Sequence, residues 1–91
     1  MKIEFDPAKS AKNIRERGLP FEIVRELDFS TALTVEDTRK AYPERRFITT
    51  GYIHERLFVL CFTPIPKGIR VISLRKANSR EVEKYGEETT D

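Results

Sequence analysis

Three segments rich in β-branched and aromatic residues follow one another between residues 46 and 75 with very little chain between them. They span residues 46–53, 56–63 and 69–75. A turn at His54-Glu55 joins the first two, and Pro64-Ile65-Pro66-Lys67-Gly68 joins the last two. Connections this short leave no room for a crossover, so the three segments predict an antiparallel meander. Pro64 and Pro66 cannot donate to a ladder and are assigned to the loop. In the middle segment Phe58, Leu60 and Phe62 alternate with Leu57, Val59 and Cys61, and both sets are apolar. That predicts a central strand covered on both faces. In the last segment, simple alternation places Ile69, Val71, Ser73 and Arg75 on one face and Arg70, Ile72, Leu74 and Lys76 on the other. Arg75 and Lys76 therefore share a cleft only if the strand ends or bulges.

The flanks predict helices. Lys2 to Phe5 alternates as a short first strand. Asp6 is placed to cap a helix with Pro7 at its first position and Gly18 at its stop, and Ala8, Ala11 and Ile14 form its apolar side. A second helix is expected over 20–27, with Phe21, Val24 and Leu27 buried. Residues 31–35 read as a strand and 36–45 as a polar loop. Asn78 and Glu81 have the spacing of a capping box, so a last, short helix starts near Ser79, with Val82 and Tyr85 as its packing stripe. The expected fold class is α+β. It has an antiparallel sheet, made of the C-terminal meander plus N-terminal strands, two N-terminal helices on one face and a short C-terminal helix. At 91 residues the chain is expected to be a single domain, 1–91.

Charge narrows the range of function. Residues 1–40 hold eight basic and eight acidic side chains, whereas residues 44–85 hold nine basic and four acidic. The second half therefore suits a polyanion, although a solvated charged surface has the same composition. Arg75, Lys76 and Arg80 crowd the exit of the last strand, where the free N–H groups of the following helix add partial positive charge. Such a cluster can grip a phosphodiester through the bidentate fork of arginine. It can equally be a set of ion pairs with Glu44, Glu81 or Glu83 that ties helix to sheet. The lone Cys61 and the absence of a Cys/His ligand pair argue against a disulfide framework or a zinc site, and no metal or cofactor is expected. No apolar run approaches the roughly 20 residues of a membrane span. The N-terminus lacks the features of a signal peptide, so a reducing cytoplasm is the expected location.

The chain also resembles a family along most of its length. Phe5-Asp6-Pro7-Ala8-Lys9, Asn13-Ile14-Arg15, Gly18, Phe21-Glu22 and Ala32-Leu33-Thr34 match in order. So do Glu44-Arg45-Arg46-Phe47-Ile48 with Gly51, as E-x-R-F-x-x-x-G. Residues 72–81, with Tyr85 beyond, match I-S-x-R-x-A-x-x-x-E. These motifs resemble the BrnT toxins, ribonuclease components of type II toxin–antitoxin systems with a RelE-like fold. The resemblance implies RNA cleavage without a metal, inhibition of translation, and a toxin–antitoxin hetero-oligomer with a BrnA-type ribbon-helix-helix antitoxin. Three positions depart from the pattern. Arg17 stands where histidine is common, Pro20 replaces a serine, and Gly86 replaces a glutamate, which is expected to shorten the last helix.

Cleavage through the RNA's own 2′-hydroxyl needs a cation at the phosphate, a proton acceptor and a proton donor. Arg75 and Arg80 are the first candidates for the phosphate, with Lys76 assisting. Glu44 is a candidate base and Tyr85 a candidate acid or stacking residue, while Arg45, Arg46 and Lys84 are expected to bind RNA. His54 has the right intrinsic chemistry but is expected at the far end of the sheet from Arg75. A slow enzyme with no strong base is a further possibility. The competing class is a non-enzymatic basic module that binds nucleic acid or protein.

Overall fold

The computed structural model describes residues 1–90. Its elements are β1 (Lys2–Glu4), α1 (Pro7–Arg17), a 3-10 helix (Phe21–Glu26), β2 (Leu33–Glu36), β3 (Phe47–Ile53), β4 (Arg56–Ile65), β5 (Gly68–Lys76) and α2 (Ser79–Thr89). The five strands form one sheet in the order β1-β5-β4-β3-β2. The meander β3–β4–β5 is antiparallel and β4 is central, as the doubly apolar pattern requires. The sheet is nevertheless mixed rather than antiparallel throughout, because β1 runs parallel to β5. Its partners are confined to Gly68, Ile69 and Arg70, so beyond Arg70 the outer edge of β5 has no strand beside it. A Cβ at Gly68 would run into the Lys2 carbonyl, so the β1–β5 approach requires glycine there.

One face of the sheet carries the core. Phe58, Leu60, Phe62, Ile69, Val71 and Leu74 pack against Leu19, Phe21, Val24 and Leu27. The segment expected as an α-helix over 20–27 is instead a 3-10 helix. Its buried residues Phe21 and Val24, with buried Leu27 just past its end, recur every three positions, which matches three residues per turn better than 3.6. The face that α1 buries also differs from expectation. Asp6, Pro7 and Gly18 (φ 69°) begin and end the helix as its sequence requires. Its buried residues, however, are Ser10 and Asn13, while Ile14 remains 47% exposed. α1 lies over the open edge of β5 and over its own connection to the 3-10 helix, where backbone groups need partners. Asn13 Nδ2 donates to the carbonyls of Leu19 (2.8 Å) and Leu74 (3.0 Å), and Ser10 Oγ accepts from Phe21 N (3.0 Å). Leaving those groups unpaired would cost more than burying an alanine or isoleucine would gain.

β4 runs through Pro64, a residue expected in the loop, and a two-residue turn at Pro66-Lys67 leads into β5. β3 begins at Phe47, opposite Phe62, so no β3 residue lies across from Pro64 and its missing donor is tolerated. In β5 the register slips. Cys61 pairs with Ser73 but Phe62 pairs with Val71, which leaves Ile72 as the extra residue of a bulge. The bulge resets the alternation, so Leu74 rejoins Ile69 and Val71 on the core face. Ser73 and Arg75 turn to the opposite face beside Cys61 and Val59. Simple alternation had put Arg75 on the same side as Ile69.

On that opposite face lies α2. Its capping box forms as the Asn78–Glu81 spacing requires. The helix continues through Gly86 to Thr89, so the glycine does not shorten it. Tyr85 is its one buried residue. It packs edge-on against Tyr52 with ring centroids 5.6 Å apart and donates its hydroxyl to Thr31 O at 2.6 Å. Val82, the other half of the expected stripe, is 49% exposed.

Two glycines should respond to alanine in opposite directions. A Cβ at Gly51 would lie 2.9 Å from Ala32 Cβ and 3.1 Å from Leu27 Cδ2, whereas one at Gly86 meets nothing within 4 Å. Gly51→Ala is expected to lower stability by about 1–3 kcal/mol through overpacking. Gly86→Ala is expected to raise it by about 0.5–1 kcal/mol through helix propensity. Urea midpoints check both, and equal responses at the two positions would contradict the packing described.

Candidate functional site

The bulge brings Arg75 to a groove of about 460 Å³ on the α2 face. Its floor is formed by Ile48 and Thr50 of β3, Val59 and Cys61 of β4, and Ser73 of β5. One wall is the first turn of α2 with Glu81; the other is the loop between β2 and β3, through Asp37, Arg39, Tyr42 and Arg46.

The loop is built around a buried carboxylate. Its ends are joined by Asp37 N donating to Arg46 O at 2.8 Å. Both oxygens of Asp37 are used. Arg39 donates through Nε (2.8 Å) and Nη2 (2.9 Å), and Tyr42 donates its hydroxyl (3.0 Å). These donors, the Arg39 bonds first, hold the Asp37 carboxyl well below the usual carboxylate range, so it stays ionised. Arg46 lies over the Tyr42 ring at 4.2 Å, and its buried Nε has no hydrogen-bond partner among the described residues. Cys61 sits on the floor, where burial pushes its thiol up.

Across the groove, Arg75 makes a fork-to-fork pair with Glu81. Nη1 donates to Oε1 at 2.7 Å and Nη2 to Oε2 at 2.8 Å. Oε1 also accepts from Asn78 N at 2.8 Å, while Glu81 N donates to Asn78 Oδ1 at 2.9 Å. The Arg75 guanidinium, opposed by partial burial, lowers the Glu81 carboxyl to about 2, and Arg75 is raised in turn. The R and the E of the I-S-x-R-x-A-x-x-x-E run are thus one contact, with the capping box closed by the same carboxylate.

The other candidates fall in several places. Lys76 follows Arg75 on the opposite face and lines a separate recess with Arg17, Leu19 and Arg75. Arg80 is exposed on the first turn of α2, outside the groove lining, and has no ion pair among the described residues. Arg45 turns away from Arg46, makes a bidentate pair with Glu36 (3.1 and 3.0 Å) and lies over Phe47. Glu44 lines a shallow depression on that side of the loop, not the groove. Lys84 lines a separate depression between α2 and the β2–β3 side of the sheet, 3.8 Å from Glu88. The Tyr85 hydroxyl is occupied by Thr31. His54 lies at the same end of the sheet as the end of β5, not the far end, because β4 is antiparallel to both neighbours. Its imidazole is tied to Glu26 at 3.0 Å, outside the groove. Asp37, Arg39 and Tyr42 line the groove and Arg17 the recess without being among the sequence candidates. The only local signal for the first three was the close spacing of Asp37 and Arg39 and the four-residue step from Tyr42 to Arg46.

A family model described as "Ribonuclease toxin, BrnT, of type II toxin-antitoxin system" matches residues 5–81, and the chain belongs to that family. It is therefore a member of a class of ribonuclease toxins, for which RNA is the substrate class and an antitoxin the partner. Comparisons with curated proteins and with solved structures returned no match. No described helix is long and apolar enough to cross a membrane.

The Arg75–Glu81 pair should be visible in the pH dependence of stability. Its folded carboxyl lies at about 2, against an ordinary value of 4.5. The stabilisation is therefore complete above 4.5 and is lost as pH falls from there towards 2. Glu81→Gln is expected to cost about 1 kcal/mol at neutral pH, a modest figure because both side chains are partly exposed. The gap to wild type should close in acid. A gap that stays constant down to pH 2 would contradict the pairing.

Proposed function

We propose that the chain is a metal-independent endoribonuclease that acts at the α2-face groove, with Arg75 as the phosphate-binding cation. The observation that carries this reading is the position of Arg75, turned by the Ile72 bulge into a groove whose far wall presents Arg39 and Arg46. In the proposed reaction the 2′-hydroxyl oxygen attacks the adjacent phosphorus and loses its proton. The bond to the 5′ oxygen breaks, and that oxygen takes a proton. A 2′,3′-cyclic phosphate and a 5′-hydroxyl result. Charge accumulates on the non-bridging oxygens, where a fixed guanidinium stabilises the transition state more than the ground state. RNA must draw Arg75 wholly or partly from Glu81, and the arginine fork can bridge carboxylate and phosphate because it has five donors.

Lys76 and Arg80 assist by adding positive charge from either side of the strand exit, and Arg45, Arg46 and Lys84 contribute to RNA binding. Glu44 is the proposed proton acceptor, brought in by movement of the loop. Tyr85 acts by seating α2 rather than by donating a proton, since its hydroxyl is committed to Thr31. Electrostatic stabilisation carries most of the rate on this reading, which makes the enzyme slow. The proposal extends to a single RelE-like domain over 1–91, action in the cytoplasm, inhibition of translation, and neutralisation by a BrnA-type ribbon-helix-helix antitoxin in a hetero-oligomer.

The test is cleavage of mixed RNA in EDTA, with ribosomes added in a parallel arm. Wild type should cleave, fully 2′-O-methylated RNA should resist, and Arg75→Ala should slow cleavage by about 100- to 1000-fold. Undiminished cleavage by folded Arg75→Ala, or cleavage of the methylated RNA, would overturn the assignment. RNA binding that falls stepwise with each lost charge, with no turnover in either arm, would identify a binding module instead.

A further inference from the structure

The recess on the other side of Arg75 has no place in the groove just described. It is an open depression of about 340 Å³ lined, among the described residues, by Arg17, Leu19, Arg75 and Lys76, three cations and no acid. Arg75 is the one charged residue common to the recess and the groove. Among the described residues Arg17 and Lys76 make no salt bridge. Arg17 is nevertheless held in place. Its Nη1 donates to Asn13 Oδ1 at 2.9 Å, and buried Asn13 is anchored through its amide nitrogen to Leu19 O and Leu74 O. A hydrogen-bonded chain rooted on β5 thus carries this guanidinium to the strand exit, with four of its five donors left for a ligand. Arg75 is paired with Glu81 but Arg17 and Lys76 have no acidic partner among the described residues, and a bound anion relieves the repulsion between them. No strand flanks β5 beyond Arg70, and α1 covers its edge as far as Leu74 O, so an extended ligand has its way round the strand just beyond, at residues 75 and 76.

We propose that Arg17 and Lys76 form a second anion subsite. It takes a neighbouring phosphate of the same single-stranded RNA, which crosses the end of β5 from the α2-face groove to the α1 side. The proposal rests on the groove being an RNA site. A regularly charged polymer fits because the two depressions are joined through Arg75 and the recess itself offers no base-sized aromatic surface, only cations around Leu19. Arg17 and Lys76 are binding residues here, one step along the strand from the scissile linkage.

The test uses the full chain and a labelled, fully 2′-O-methylated single-stranded RNA, with affinity followed by anisotropy across a salt series. Each lost phosphate contact on a single strand lowers the slope of log K against log salt by about 0.7. Arg17→Gln and Lys76→Gln should each remove about 0.7 from the slope, and the double variant about 1.4. Arg17→Lys, which keeps the charge, should retain the wild-type slope. Lys67→Asn, in the turn at the opposite end of β5, should leave it unchanged. A double variant with wild-type slope and affinity, alongside Arg75→Ala that loses binding, would overturn the subsite and leave the groove standing. The subsite is likewise overturned if the double variant keeps RNA affinity but loses affinity for the antitoxin, which would make the recess a protein contact. Absence of RNA binding by wild type would remove groove and subsite together.

Discussion

Two parallel hydrogen bonds between the Arg75 guanidinium and the Glu81 carboxylate join the last strand to the last helix, and the α2 face is organised around them. Glu81 also closes the capping box on Asn78, so one carboxylate fixes the start of α2 and its distance from β5. Further along, Tyr85 reaches Thr31 and Tyr52 and holds the far end of the helix over the β2–β3 side of the sheet. The groove is the space left between this anchored helix and the Asp37-centred loop. Neither wall depends on a large apolar contact: one is held by a charged fork, the other by a buried carboxylate with donors on both oxygens. Such walls are built from directional bonds and leave polar groups facing the cavity.

The bulge at Ile72 gives that fork its direction. Without the extra residue, Arg75 would emerge beside the core and could not meet a helix on the other face. Strands close to functional sites often use a bulge to re-aim a side chain in this way. In the free chain the re-aimed guanidinium is neutralised by its own helix. On the proposed reading, RNA phosphate therefore competes with Glu81 for Arg75, and the cationic recess beyond supplies attraction that the paired Arg75 cannot supply by itself.

Much of the architecture was legible because it follows local rules. The meander is written in short connections and doubled apolar alternation, the ends of α1 in Asp6-Pro7 and Gly18, and the start of α2 in the Asn78–Glu81 spacing. What escaped depends on contacts distant in sequence. A parallel partner for β5 from residues 2–4 leaves no local trace. The bulge cannot be read from alternation because Ile72, Ser73 and Leu74 suit either face. The polar underside of α1 makes sense only once Asn13 is seen bonding Leu74 O across 61 residues. For the site, the crowding of charge around residue 75 was visible in the sequence. Its division into a groove and a recess was not visible, and neither was the loop wall, because Asp37, Arg39 and Tyr42 acquire their arrangement only when the loop closes between Asp37 N and Arg46 O. Arg17 drew attention only as the replacement for a histidine. Its nearness to Lys76 emerges from the way α1 lies over β5.

The central claim is that the guanidinium turned by the bulge is where RNA phosphate binds, in exchange with Glu81. Side-chain NMR of Arg75 and Glu81, recorded during titration with uncleavable 2′-O-methylated RNA, tests this most directly. The Arg75 Nε and Nη resonances should shift with RNA, and the Glu81 carboxyl should rise from about 2 towards its ordinary value of 4.5 as its partner is drawn away. Saturation with RNA that leaves both groups unmoved would contradict the claim.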